Sequence, residues 1–286
     1  MFFYKKKEVF IMKKFVKIMA LALSLVMALA VLASCGKKSD WATIEEKGYF
    51  VCGITVYEPM NYFDEDGDLT GFDTEFATAV AEQLGLEAKF QVISWPNKYM
   101  ELNSGAIDLI WNGFTYGMES DGKSRTEYVD FTYSYLENRQ VIITKADRIA
   151  ELNTAEAFAG KKAVAEGGSS GEGVAIELCG AEDKVTTFTS QASALMELVA
   201  GNADFAVIDY QMAKAMVGSG DYAALAINGA VQPESEVYAI GARKGSDLTA
   251  KINEAIKSLS ENGKLAEIAA KYNLTNDLIP GIGAES

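Results

Sequence analysis

Residues 49–93 read YFVCGITVYE PMNYFDEDGD LTGFDTEFAT AVAEQLGLEA KFQVI, and the order of their apolar patterns predicts the fold class. The apolar run 49–55 predicts a strand, and 87–93 predicts a second strand. Between them one apolar residue in every four predicts a helix that ends at Gly85, with a stripe formed by Phe72, Phe76, Val80 and Leu84. Strand, helix and strand in this order are typical of a βαβ unit and therefore of an α/β fold.

The same alternation continues along the chain and then begins again after about residue 145. A short helix containing 99–102 and a strand at 108–112 complete the first series. The second series predicts another α/β lobe, with a helix at 154–158, strands at 162–165, 185–188 and 204–208, and a helix at 190–200. After 237–243 two helices follow, separated by Gly263, and the first has Leu248, Ile252, Ile256 and Leu259 on one face.

The first 35 residues predict a secretion signal that ends in a lipid attachment site. Lys13, Lys14 and Lys17 precede the apolar run 18–32, which is too short to span a membrane comfortably. The run leads into Leu32-Ala33-Ser34-Cys35, which resembles the bacterial lipobox, so we expect a lipid on Cys35 and a tether at 36–40. An ordinary cleaved signal with a chance cysteine is the alternative, and Met12 is an alternative start to Met1. The lipid would hold the protein outside the cytoplasmic membrane.

Composition excludes several classes of protein. The chain has 26 basic and 40 acidic residues, a formal charge of −14, and no histidine. Nucleic acid is therefore an unsuitable partner, and histidine-based catalytic triads and zinc sites are excluded. We predict no metal and no cofactor. After Cys35 only Cys52 and Cys179 remain, and we expect both to stay unpaired in separate lobes, although a disulfide is permitted outside the cell.

Six short motifs follow one another in the order of a known family. They are YEPMNY at 57–62, DGDLTGFD at 66–73, LNSG at 102–105, DLI at 108–110, NGFT at 112–115 and, after Arg125, VDFT at 129–132. Together they resemble the solute-binding proteins of polar amino-acid ABC importers, often called family 3. The resemblance implies a type II periplasmic-binding-protein-like fold, with two α/β lobes joined by two hinge strands and the ligand between them. It places 41–138 plus 240–286 in lobe 1 and 141–236 in lobe 2.

The resemblance also implies a set of ligand contacts. A buried amino acid needs donors for its carboxylate and an acceptor for its ammonium, because either charge left unpaired costs several kcal/mol. Arg125, whose planar guanidinium suits a carboxylate, matches the family's residue that binds the carboxylate of the amino acid. Asp209 matches the residue that binds its ammonium group. The remaining expected contacts are the rings of Tyr57 and Trp95, Asn112 with its amide or backbone in the cleft, Gly113, Thr115, and Ser169 and Ser170 in the loop 167–171.

Two of these assignments have alternatives, and two further glutamates have an open role. The segment 117–124 is longer than the family's usual spacing, so Lys123 could replace Arg125. Asp209 could cap a helix at 210–217 instead of binding a ligand. Glu166 and Glu58 could select the ligand's side chain if they face inward, or they could simply be solvated. If both glutamate side chains face the ligand, we expect a polar or basic amino acid first and an uncharged polar or sulfur-containing one second. An acidic amino acid is disfavoured.

The predicted function is therefore binding without catalysis. We expect a monomer that binds a free amino acid, delivers it to an ABC permease and is attached to the membrane by its lipid. One alternative is a dehydratase-type enzyme on the same scaffold, similar to cyclohexadienyl dehydratases, with Glu166 as the general acid. Another is a module that reports ligand binding to a membrane partner.

Overall fold

A computed structural model describes residues 39–120 and 122–283. The predicted signal segment, Cys35 and most of the tether lie outside these residues. Within the described part no helix is long and apolar enough to cross a membrane.

The described chain contains eight α-helices, short 3₁₀ turns and fifteen strands. The helices are α1 (Asp40–Lys47), α2 (Phe72–Gln83), α3 (Lys98–Ser104), α4 (Ser170–Cys179), α5 (Gln191–Ala200), α6 (Tyr210–Met216), α7 (Leu248–Glu261) and α8 (Lys264–Lys271). The strands are β1 (Tyr49–Ile54), β2 (Tyr62–Phe63), β3 (Leu69–Thr70), β4 (Glu87–Val92), β5 (Leu109–Ile110), β6 (Glu119–Ser120), β7 (Lys123–Ser124), β8 (Val129–Phe131), β9 (Leu136–Lys145), β10 (Ala163–Glu166), β11 (Val185–Phe188), β12 (Phe205–Asp209), β13 (Leu225–Asn228), β14 (Ser235–Tyr238) and β15 (Gly241–Arg243).

Two mixed sheets define two lobes, as the sequence predicted. The sheet of lobe 1 has the order β4-β1-β5-β15-β8, with β4, β1 and β5 parallel. The sheet of lobe 2 has the order β11-β10-β12-β9-β13, with β11, β10 and β12 parallel. Ligand sites in such sheets lie at the carboxyl ends of the parallel strands. Those ends lead to Asn112 in lobe 1 and carry Glu166 and Asp209 in lobe 2.

Strands β9 and β14 connect the two sheets. The first four residues of β9 pair with β14, and its later residues pair with β12 and β13. On the lobe 1 side, β9 follows β8 and β14 precedes β15. Leu136, Val141 and Tyr238 on these strands belong to an apolar cluster that also contains Phe50 of β1 and Ile208 of β12. The crossing strands therefore carry the apolar core from one lobe into the other.

The predicted helix faces are buried in the structure. Phe72, Phe76 and Val80 of α2 are fully buried, and Phe76 packs edge-on against Trp111 at 5.2 Å between ring centroids. Trp111 therefore faces the core. Leu248, Ile252, Ile256 and Leu259 of α7 are buried as well. Cys52 and Cys179 are free and buried, which confirms that they do not pair.

Gly71 fixes the start of α2 against the preceding turn. The amide of Phe72 donates to the carbonyl of Pro59 at 2.8 Å, and the amide of Asp73 donates to that of Met60 at 2.9 Å. This close approach leaves no space at Gly71, where a Cβ would lie 2.3 Å from the carbonyl oxygen of Met60. The backbone of Gly71, with φ 119° and ψ 166°, is also in a region that is essentially restricted to glycine.

We expect Gly71→Ala to destabilise the protein by roughly 3 kcal/mol, because strain and a backbone clash add. Gly67→Ala is the matched control, since Gly67 has φ 87° but nothing within 4 Å of its added Cβ. Its cost should be only about 1 kcal/mol. Urea unfolding followed by circular dichroism measures both free energies. Equal costs for the two variants would show that contact with Met60 is unimportant.

Candidate functional site

A small cavity lies where the carboxyl ends of the two sheets meet. Its volume is about 10 Å³, which is about the space that the centre of one water molecule needs. Ten residues from both lobes line it: Trp95, Asn112, Gly113, Thr115, Arg125, Glu166, Ser169, Ser170, Gln191 and Asp209. The structure thus brings most of the residues expected from the sequence to one place. Tyr57 and Glu58 are not among the lining residues.

Arg125 contributes a buried positive charge that contacts both lobes. It begins a 3₁₀ turn after β7, and 1 % of its surface is exposed. Nη1 donates to the carbonyl of Thr115 at 3.0 Å, and Nη2 donates to that of Gly168 at 3.0 Å. Nε has no acceptor in the described part of the chain. Burial lowers the pKa of Arg125, and the nearby charge of Glu236 opposes that shift.

Lys123, the alternative residue for binding the ligand carboxylate, is exposed and is not among the residues that line the cavity. Its Nζ lies 6.0 Å from the ring centroid of Tyr128. The guanidinium of Arg125, in contrast, lies over the ring of Phe114 at 4.7 Å. The longer spacing at 117–124 therefore forms the β6–β7 hairpin and still leaves the arginine in the cavity.

Asp209 contributes a buried negative charge held by side-chain amides. Its Oδ1 accepts from Asn138 at 2.6 Å and from Gln140 at 2.7 Å, and its Oδ2 accepts from Gln191. Although Asp209 precedes α6, its carboxylate makes no capping hydrogen bond. The geometry therefore does not match the helix-cap alternative. Burial, and then the charge of Glu236, raise the pKa of Asp209 to about 7.

Two further carboxylates surround Asp209. Glu166 ends β10, is 3 % exposed, and has no hydrogen-bond partner for Oε1 among the described residues. Burial, with the charge of Asp209, raises its pKa well above the usual range, while Lys98 and Arg125 act in the opposite direction. Glu236 on β14 accepts from Asn138 at 2.6 Å, Gln140 at 2.8 Å and Thr115 at 3.0 Å. The site therefore contains three acidic groups.

The loop before α4 forms the lobe 2 side of the cavity. Ser169 caps α4, since its Oγ accepts from the amide of Glu172 at 3.2 Å. The Oε2 of Glu172 in turn accepts from the amide of Gly168 at 2.7 Å. Ser170 Oγ donates to the sulfur of Met118 at 2.9 Å, across the cleft. Such helix N-termini favour anionic groups.

The floor of the cavity differs from the expectation for Asn112. Its Nδ2 donates to the carbonyl of Thr55 at 3.0 Å and to Asn61 Oδ1 at 2.7 Å, and its Oδ1 accepts from Thr55 Oγ1 at 2.7 Å. The side-chain amide is therefore used inside lobe 1 and does not point into the cleft. Of the two expectations for Asn112, the structure contradicts the cleft-facing amide, because neighbouring polar groups satisfy it. The cleft-facing backbone stays a prediction, and Asn112 does line the cavity.

Gly113 and the aromatic rings pack closely around this floor. A Cβ on Gly113 would lie 2.8 Å from Tyr57 Cε1, and the hydroxyl groups of Tyr57 and Tyr238 are 2.7 Å apart. Tyr57 thus packs against Gly113 and does not line the cavity. Trp95 does line it, and its ring packs edge-on against Phe114 with 5.6 Å between the ring centroids. Glu58 is half-buried outside the cavity.

The sequence did not point to several residues that build the site. Asn138, Gln140 and Glu236 lie on the crossing strands, Gln191 begins α5 and Asp73 lies under Gly113. Asp73 is fully buried, accepts from the Gly113 amide at 2.8 Å, and has its pKa raised by burial to about 7. The sequence did contain a signal for Asn138 and Gln140. Residues two positions apart on a strand point to the same face, so this polar pair indicates a shared polar surface.

Comparison with known proteins identifies the family. The bacterial extracellular solute-binding proteins, family 3, match this chain over residues 50–275. The chain belongs to this family. The L-cystine-binding protein TcyA of Bacillus subtilis (strain 168) is 31% identical to it over 274 residues, covering 88% of this chain and 96% of TcyA.

Solved structures of two ligand-binding proteins have a similar fold. A substrate-binding protein of an ABC uptake transporter from Streptococcus pneumoniae, with bound histidine, superposes with a TM-score of 0.71 at 32% identity, covering 82% of this chain and 96% of that one. The ancestral amino acid-binding protein AncCDT-1, a precursor of cyclohexadienyl dehydratase, has a TM-score of 0.71 at 26% identity, covering 81% and 98%. These similarities agree with the two-lobe α/β architecture.

Proposed function

We propose that this chain is the substrate-binding protein of an amino-acid ABC importer, and that it encloses a free amino acid by lobe closure. One observation carries the proposal. A single cavity has a buried guanidinium on Arg125 and a buried carboxylate on Asp209. A free amino acid carries the two complementary charges, and leaving either one unpaired in a buried site costs several kcal/mol.

Binding in this proposal begins with separation of the lobes, because a cavity of about 10 Å³ is too small for an amino acid. Residues 41–138 and 240–286 move as lobe 1 and 141–236 as lobe 2, with β9 and β14 as the hinges. The ligand carboxylate accepts from Arg125, whose Nε–H has no described acceptor, and from the loop at Ser169 and Ser170. The ammonium donates to Asp209. Closure then removes both charges from water.

The acidic groups favour a polar or basic side chain on the ligand. Glu166, Asp209 and Glu236 lie at or beside the cavity, and burying a fourth carboxylate among them is unfavourable. The S. pneumoniae relative holds histidine, which is consistent with this preference. TcyA is named for cystine, which belongs to the sulfur-containing alternative. Glu58 lies outside the cavity, so Glu236 replaces it as the second candidate for selecting the side chain.

Attachment to the membrane is the part of the proposal that rests on sequence. The lipobox-like segment at 32–35 supports a lipid on Cys35, and residues 36–40 supply a short tether. Holding the loaded protein near its permease raises the effective concentration of the two partners.

An enzymatic role is the second candidate, because one observation favours it. Glu166 is buried with a raised pKa, as a general acid requires. The relation of AncCDT-1 to a dehydratase points the same way. Formation of aromatic product from prephenate or arogenate would favour this enzymatic alternative.

A thermal-shift screen of the common amino acids, cystine and ornithine tests the proposed ligand class. We expect a polar or basic amino acid to raise Tm most, since a ligand at 100 times its Kd stabilises by about 2.7 kcal/mol. Glu166→Gln should change the ranking, whereas the exposed Glu254→Gln should not. Glutamate or aspartate as the strongest stabiliser would contradict the charge argument.

The Arg125→Ala variant tests the carboxylate contact. We expect calorimetry to show a loss of roughly 3 to 5 kcal/mol, or about two to four decades in affinity, because a buried charge loses its partner. Arg125→Lys should retain only a small part, since an ammonium cannot form the planar two-bond contact. Lys123→Ala is the control and should bind normally. Weak binding by Lys123→Ala together with normal binding by Arg125→Ala would reverse the assignment.

The pH dependence of binding tests Asp209. Its pKa of about 7 means that the group is largely protonated below that pH, and a ligand ammonium needs the ionised form. Affinity should therefore fall about tenfold for each pH unit below 7, with one proton released on binding. Asp209→Asn should lower affinity roughly 10²-fold at pH 8 and remove this dependence. Asp204→Asn, in the residue just before β12, should keep it. A pH-independent wild type would refute the role.

A further inference from the structure

A four-residue segment of lobe 1 packs directly on the glycine loop of lobe 2. This segment, 95–98, joins a 3₁₀ turn to the start of α3. A Cβ on Gly167 would lie 3.2 Å from Pro96 Cγ, and one on Gly168 would lie 3.0 Å from Lys98 Nζ. Both glycines therefore permit a close contact between the lobes, beside the loop residues that line the cavity.

Lys98 is the charged member of this contact. It is 1 % exposed, and its Nζ donates to the carbonyl of Gly168 in lobe 2 at 3.0 Å. On the lobe 1 side, Nζ donates to the carbonyl of Trp95 at 3.4 Å and lies 4.9 Å and 4.8 Å from the ring centroids of Trp95 and Tyr99. Lys98 thus has partners from both lobes.

The Gly168 carbonyl belongs to lobe 2, so its hydrogen bond with Lys98 joins the two lobes. Arg125 Nη2 donates to the same oxygen at 3.0 Å, so two cationic groups of lobe 1 hold one peptide of lobe 2. Hydrogen bonds from charged donors are stronger than neutral ones, and the aromatic rings add cation–π attraction. These contacts offset the desolvation of the ammonium on closure, which would otherwise oppose it.

Resting on the proposed function, we propose that Lys98 is a positioning residue that stabilises the closed lobes and slows ligand release. Its contact with Gly168 holds the loop carrying Ser169 and Ser170 at a fixed distance from Arg125. Lys98 does not line the cavity, so it acts on the ligand through this loop.

Lys98→Met tests the proposal, because methionine keeps the packing between the rings but loses the donor. The probe is whichever of L-arginine, L-histidine and L-cystine binds the wild type most tightly. Stopped-flow tryptophan fluorescence should show about tenfold faster dissociation with association within about twofold, as expected when a mutation weakens the closed complex. Lys89→Met is the control, since Lys89 contacts the ring of Tyr49 within lobe 1 at 3.7 Å. Unchanged dissociation, or a change only in Tm, overturns the proposal.

A ligand-independent measurement separates this proposal from the proposed function. The proposed function fails only if no amino acid in the whole thermal-shift screen binds the wild type. If none of the three probes binds, small-angle X-ray scattering of the ligand-free proteins decides the role of Lys98. A larger radius of gyration for Lys98→Met than for wild type and Lys89→Met then supports it. Equal radii overturn it.

Discussion

Arg125 of lobe 1 and Asp209 of lobe 2 are buried beside one small cavity, and neither forms a salt bridge with a described residue. Burying an ion is tolerated only when hydrogen bonds replace water. Two backbone carbonyls serve the guanidinium, one from each lobe, and three side-chain amides serve the carboxylate. Because these partners are neutral, both ions remain able to attract an opposite charge. The positions of the loops and crossing strands follow from this requirement.

Strand β9 meets two requirements at once. As a connection it continues the apolar core through Leu136 and Val141 from one lobe to the other. Between these residues it places Asn138 and Gln140 on one face, where each amide donates to both Asp209 and Glu236. A change in hinge geometry therefore also moves the groups that hold the acidic residues. In the proposed lobe closure, movement of β9 would therefore also change the electrostatics of the site.

The sequence predicted the parts of the structure that follow local patterns. The α2 stripe, the three parallel strands of lobe 2 and the free cysteines agree with expectation, and Arg125 and Asp209 line one cavity. Strand β13 was not predicted. It did not predict β9, because the buried polar pair Asn138 and Gln140 interrupts the apolar signal. It also missed the partition of 237–243 into β14 and β15, which belong to different sheets. The direction of the Asn112 amide depends on Thr55 and Asn61, which are distant in sequence, so no local pattern carried it.

The acidic groups make the cavity electrostatically incomplete. Asp209 and Glu236 share the same two amide donors, and Glu166 has an unpartnered oxygen in the described structure. Sharing donors distributes hydrogen bonds but does not neutralise charge. Burial first, and then the charge of a neighbouring carboxylate, raises the pKa of both Asp209 and Glu166. A ligand ammonium can compensate the carboxylate charge in place of a bound proton. Ligand binding and proton release should therefore be coupled in this site.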